Sequence, residues 1–236
     1  MYTTVKLTIR NKRKEFYSMT LKEQAMLIIE RLEQVYPDAV CSLEYSQSHE
    51  LMIAGRLSAQ CTDARVNIVT KELFEKYRSI DDFADADVSD VERIIKPCGL
   101  YKTKALSIVT MCRQIRDSYN GIIPDSIEEL TKLSGIGRKT ANLIMGDVFH
   151  KPAVVTDTHC IRICGRLGLT KNKEPAKVEK DLLKILPPER SSDFCHRLVL
   201  FGREYCKARG ERCGECPLAD LCVTLNLAVQ NNAQAE

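Results

Sequence analysis

The chain has 236 residues and no apolar run near the ~20 that a membrane-crossing helix requires. Its opening stretch, MYTTVKLTIRNKRKEF, lacks the continuous apolar block of a secretory signal; Leu7 and Ile9 alternate with polar residues instead of forming a helical stripe. These two absences predict a cytoplasmic protein with no membrane contact. Charge of one sign is also scarce. Thirty-five Lys and Arg face 32 Asp and Glu, and a net +3 excludes a binder that holds nucleic acid by bulk charge, leaving room for a local basic face. Strand-like alternation is nearly absent: the segment 152–155 is the one candidate, and it is too short for a sheet. Cysteine is plentiful at eleven, but an odd count without an export signal argues against a disulfide framework.

What is present is helical, and the fold class is all-α. LKEQAMLIIERLEQ (21–34) places Leu21, Ala25, Ile28, Ile29 and Leu32 on one stripe. Further helices are predicted over 50–61, 65–78, 88–96, 103–118, 126–132, 138–149, 158–166, 176–185 and 191–206. Thr62 or Asp63 caps the second of these. Breaks fall at Gly99, Asn120-Gly121, Gly135/Gly137, Gly165/Gly168 and Pro187-Pro188. From about Val229 the chain is polar and expected to fray.

Residues 133–149 read LSGIGRKTANLIMGDVF. Two glycines one residue apart precede a helix whose first turn holds Arg138 and Lys139. A helix N-terminus carries partial positive charge, a poor place for more cations and a good one for an anion. Either these are solvated surface charges, or something strongly negative docks here. A weak echo, CGLYKTKALSIV (98–109), repeats the order of glycine turn, basic residue and apolar helix. Two such turns offer two sets of backbone N–H groups to phosphates along one strand, although each alone reads equally as an ordinary connection.

Seven cysteines are scattered (Cys41, Cys61, Cys98, Cys112, Cys160, Cys164 and Cys195) and read as small buried hydrophobes. The other four, Cys206, Cys213, Cys216 and Cys222, follow C-x6-C-x2-C-x5-C. Zinc sites usually pair two C-x2-C hooks, whereas one hook with longer spacers suits a loop wrapped around a larger object. An iron–sulfur cluster is favoured, with zinc and unligated thiols as alternatives. Four thiolates on a +2 cubane leave about −2, so DNA binding would then rest on local cations such as Arg203, Lys207, Arg209 and Arg212.

The glycine hairpin with Lys139, the segment VVTDTHCIRICGRLGL and the terminal cysteine spacing together resemble the endonuclease III family. These are bifunctional DNA glycosylase/lyases of the helix-hairpin-helix, Gly/Pro-Asp superfamily. The resemblance runs from about Leu21 to Cys222. It implies a two-lobed helical glycosylase fold with DNA in the cleft: a six-helix barrel with the hairpin over 41–151, and an iron–sulfur lobe made of 21–40 plus 152–222. Residues 1–20 are then an N-terminal extension and 223–236 a tail. The implied cofactor is a [4Fe-4S] cluster on the four clustered cysteines. The implied partner is double-stranded DNA with a damaged base or an abasic site, bound by a monomer close to the nucleoid.

The same resemblance assigns roles. Amides around Gly135 and Gly137 hold a phosphate, with Arg138 beside them, and Lys139 attacks C1′ as a neutral amine whose pKa is lowered by burial or nearby cations. Asp157 is the catalytic carboxylate, a role compatible with its other reading as a helix cap. Gln60 fills the gap left by a flipped nucleotide, and Leu100 is either a wedge between bases or plain core. His159 reads as structural. Gly55 and Arg56 depart from the family, which usually has apolar residues there, and Lys12, Arg13 and Lys14 read equally as a DNA-contacting arm or a plain tail. Two rivals remain: a monofunctional relative using water, which the lysine opposes, and a non-catalytic DNA binder.

Overall fold

The computed structural model describes residues 19–234, with side chains described through residue 228. Lys12, Arg13 and Lys14 lie outside the described residues. Every regular element among the described residues is helical. The chain forms two compact units, one joining the part up to Val40 with the part from Val154 onward, the other spanning Cys41–Ala153.

The discontinuous unit starts with α1 (Leu21–Val35), begun by a capping box: the Glu23 carboxylate accepts the Thr20 N–H at 2.7 Å, and Thr20 Oγ1 accepts the Glu23 N–H at 3.3 Å. Of its expected stripe, Ala25, Ile28, Ile29 and Leu32 are fully buried, whereas Leu21, at the first position of the helix, is exposed. The other helices of this unit are α9 (Thr158–Leu167), α10 (Pro175–Leu182), α11 (Ser191–Glu204) and α12 (Val223–Gln234). α11 packs on α1 and α9. Gln24 Nε2 donates to the carbonyls of Leu167 at 2.7 Å and Leu221 at 3.3 Å, fastening α1 to segments far along the chain.

The continuous unit holds α2 (Ser48–Leu57), α3 (Asp63–Lys76), α4 (Ile80–Ala84), α5 (Val88–Ile95), α6 (Tyr101–Tyr119), α7 (Ile127–Leu130) and α8 (Arg138–Asp147), with a 3-10 turn at Lys96–Cys98. α6 is central, packed on α4, α5 and α2, while α8 rests on α2 and α7. Thr62, not Asp63, caps α3.

Four expectations need correction. α4 was not expected: five residues are too few to show a period, and its signal is the box formed by Ser79 and Asp82, with Phe83 fully buried beneath it. With α4 and the four-residue α7 counted, the continuous unit has seven helices where six were expected. Gly165 does not break α9; the helix runs to Leu167 and ends at Gly168, whose φ of +81° suits a residue without Cβ. The tail is helical over Val223–Gln234 and α12 packs on α9. Its apolar residues form no single stripe, which hides the helix from a hydrophobic-periodicity reading.

Candidate functional site

In the continuous unit, α7, the hairpin and α8 follow one another as helix, turn and helix. Leu133 and Ile136 bury their side chains and pin the turn from within, and the Gln114 side chain accepts the Ser134 N–H at 2.7 Å. Gly135, Gly137, Arg138 and Lys139 are all exposed. Gly135 sits at φ +80°, which a side chain would strain, and Gly137 is the extended N-cap residue of α8. The result is an exposed helix N-terminus with two bare glycines and two cations, the geometry of an anion site. Lys139 is not buried by the protein, so the expected shielding of its amine by burial does not come from this unit. The Cys41 thiol, near enough to sense Lys139, is pushed up to about 12 by burial, with Asp147 adding to the shift; it stays protonated and does not compete as a nucleophile.

Gly55 and Arg56 have a structural reason. A methyl on Gly55 would stand 2.8 Å from Thr140 Cγ2, so the bare backbone lets α2 approach α8 just beside Lys139. Arg56 passes beneath the hairpin: its Nε donates to Ser107 Oγ at 2.8 Å, and a Cβ on Gly135 would collide with that guanidinium at 2.6 Å. We expect Gly55→Ala to lower the melting midpoint by about 2–8 °C, because ~2–3 kcal/mol of overpacking against the stiff Thr140 side chain, less the ~1 kcal/mol helix-propensity gain, leaves about 1–2 kcal/mol. Adding Thr140→Ser removes the offending methyl, and thermal melts of the single and double variants should show recovery. A Gly55→Ala protein as stable as wild type would contradict the tight approach.

Gln60 and Leu100 belong to the same unit and share an unusual backbone. Gln60 has φ +55° and Leu100 φ +49°, both left-handed, at about 1–2 kcal/mol each for an L-residue. Gln60 is exposed, and Leu100 is 59% exposed, which removes it from the core.

Asp157 lies in the discontinuous unit as the N-cap of α9, its Oδ1 accepting the Cys160 N–H at 2.7 Å. It is half-buried. His159 packs against Gly202, with an Arg162 Nη 3.2 Å from its Nδ1, a structural setting. Of the scattered cysteines, Cys98, Cys112, Cys160, Cys164 and Cys195 are buried as expected, while Cys41 and Cys61 are half-buried.

In the same unit, Cys206 follows α11, Cys213 opens a 3-10 turn that Cys216 closes, and Cys222 precedes α12. Their side chains line a cavity of about 160 Å³ walled by Phe201, Tyr205 and Leu225. Among the described residues no three of these sulfurs gather within 4.8 Å of one another, as a single zinc ion at ~2.3 Å would draw them. Four thiols around a roomy apolar cavity fit a cubane. Arg166 donates to Cys206 Sγ at 3.3 Å and to the Lys207 carbonyl at 2.8 Å, and Arg31 anchors the loop through Asp220 at 2.9 Å. Lys207 and Arg209 are exposed, whereas Arg212 is engaged by Glu215 and lies over the Tyr205 ring. Arg166→Met should speed iron loss to a chelator roughly 10-fold, followed by the fading of the brown absorbance. Unchanged release would show that this guanidinium does not support the cluster.

Comparison with known proteins points one way. Residues 53–188 match the family described as HhH-GPD superfamily base excision DNA repair protein, and residues 206–222 match the iron-sulfur binding domain of endonuclease III. Endonuclease III of Bacillus subtilis (strain 168) is 42% identical over 201 residues, 85% of this chain and 92% of the relative. A solved non-covalent endonuclease III–DNA complex superposes with a TM-score of 0.83 at 42% identity, covering 90% of this chain and 100% of that one. A trapped endonuclease III–DNA covalent intermediate, an estranged-adenine complex, gives the same TM-score and identity over 89% of this chain and 100% of that one.

Proposed function

This chain belongs to the endonuclease III family, within the helix-hairpin-helix superfamily of base excision DNA repair proteins, and we propose that Lys139 is its nucleophile and Asp157 its catalytic carboxylate. It is a bifunctional DNA glycosylase and abasic-site lyase that removes oxidised pyrimidines. The observation carrying the residue assignments is the exposed hairpin that sets two bare glycines directly ahead of Lys139.

In this reading the amides around Gly135 and Gly137 hold a backbone phosphate, Arg138 supports its charge, and the strand is anchored with the sugar facing Lys139. The Nζ lone pair forms a bond to C1′ as the C1′–N glycosidic bond breaks and the base leaves. Asp157 stabilises the positive charge growing at C1′ and assists proton transfer. The sugar ring opens to a Schiff base. The iminium acidifies the C2′ proton, whose removal expels the 3′ phosphate by β-elimination and nicks the strand. Lysine suits this because a primary amine forms Schiff bases and a guanidinium does not. Gln60 fills the space left by the flipped nucleotide and Leu100 wedges the stack; the left-handed backbone at both positions supports this.

The protein carries a [4Fe-4S] cluster, for which Cys206, Cys213, Cys216 and Cys222 would be the ligands. When bound, the cluster acts as a rigid clip that orders the loop and presents Lys207 and Arg209. The enzyme acts as a monomer in the cytoplasm, beside the chromosome. Borohydride added to the protein with an abasic-site duplex should yield a covalent protein–DNA adduct. Brown, cluster-loaded protein that forms none would exclude the Schiff-base route.

A further inference from the structure

Among the described residues Lys104 is the one lysine with a fully buried side chain, 0% exposed. It stands in the first turn of α6, where the helix dipole disfavours a cation, and burial lowers its ammonium pKa below the usual lysine value. Its Nζ donates to the Leu57 carbonyl at 2.8 Å and to the Cys98 carbonyl at 2.9 Å. It has no carboxylate partner among the described residues, and the thiols of Cys61 and Cys98 lie close to it. A methionine of similar reach would avoid every one of these penalties, so the ammonium answers a need other than packing.

The two carbonyls show what that need is. Leu57 is the last residue of α2, three before Gln60, and Cys98 closes the 3-10 turn two before Leu100. The segments are far apart in sequence, Leu57 being 47 residues from Lys104, yet one cation holds both. Each then leads into a left-handed residue: Gln60 at φ +55°, and Leu100 at φ +49° directly after Gly99 at φ +68°.

We propose that Lys104 is a positioning residue: its ammonium clasps the main chain behind Gln60 and Leu100 and holds the two side chains in the register that opens a duplex. The inference rests on the reading of Gln60 as gap filler and Leu100 as wedge. Lys104 has no path to DNA of its own, so it acts through them. Without the clasp, two buried carbonyls lose their partner and the left-handed turns relax toward ordinary backbone.

The test separates opening a duplex from chemistry at an exposed sugar. Brown Lys104→Met, Gln60→Ala and Leu100→Ala proteins are assayed on a duplex with one thymine glycol and, by borohydride trapping, on a single-stranded abasic oligonucleotide. All three should excise from the duplex roughly 10-fold or more slowly, since flipping costs a few kcal/mol, and Lys104→Met should trap single strands within about threefold of wild type. Lys104→Gln, which keeps a donor, should fall between Lys104→Met and wild type, and it carries the test if Lys104→Met does not yield brown protein. Were Gln60→Ala and Leu100→Ala slow on the duplex but both Lys104 variants normal, the clasp is refuted while the wedge reading stands. Equal losses on both substrates would make Lys104 merely structural. If Gln60→Ala and Leu100→Ala behave as wild type, the wedge reading fails and the clasp falls with it.

Discussion

Lys139→Gln should abolish the borohydride-trapped adduct and lower base excision by roughly 10³–10⁶-fold, the range that follows removal of an enzyme nucleophile. Binding to an abasic duplex should change by less than about threefold at moderate salt, because only one charge near the phosphates is lost. The asymmetry comes from the structure. Lys139 is exposed, so glutamine disturbs no packing, and an exposed substitution of this kind usually moves stability by no more than about 0.5 kcal/mol. The hairpin keeps its glycines, its buried Leu133 and Ile136 and its hydrogen bond to Gln114, so the phosphate site survives. Gel-shift titration and trapping on the same preparation check both halves. A variant that still traps would mean another amine attacks. Equal loss of binding and trapping would mean that Lys139 grips phosphate and the chemistry lies elsewhere.

The second large effect separates the two roles of Asp157. Asparagine caps helices about as well as aspartate, so Asp157→Asn should retain the bond to the Cys160 N–H and melt with wild type. Its excision rate should nevertheless fall by roughly 10²–10⁴-fold, since a neutral amide neither stabilises developing positive charge nor takes a proton. Asp157→Ala should lose the same activity and, in addition, about 0.5–2 kcal/mol of stability from the missing cap. At 2–4 °C per kcal/mol for a chain of this size, that second loss is visible in a melt. Near-normal excision by Asp157→Asn beside an unstable Asp157→Ala would leave Asp157 a cap and nothing more.

Much of this was legible in the residues because it depends on local order. The stripe of α1, the glycine turn ahead of α8, the Asp before α9 and the cysteine spacing are all written within spans of seventeen residues or fewer. What escaped depends on distant residues meeting. Gly55 and Arg56 stand out in sequence only as departures from the family's apolar residues; the Thr140 methyl against Gly55 and the passage of Arg56 beneath Gly135 exist only in the fold. Leu100 read equally well as core or wedge, since its sequence neighbourhood says nothing of exposure; a left-handed φ and an exposed side chain are properties of the folded turn. Lys104 lies in the segment 98–109, whose sequence shows a glycine turn and basic residues but not that this one lysine is buried. Neither α4 nor α12 shows a period, the one because it is too short and the other because its apolar residues form no single stripe.

The thread of the chain through its two units has a consequence for manufacture. α1 is made long before its partners: its Gln24 closes on a carbonyl 143 residues later and on another 197 residues later. The continuous unit spans Cys41–Ala153 without interruption, so its internal contacts can begin to form while synthesis proceeds. α1 therefore waits, its apolar stripe uncovered, until the chain as far as Leu221 has been made. Iron is delivered to the half of the protein that closes last.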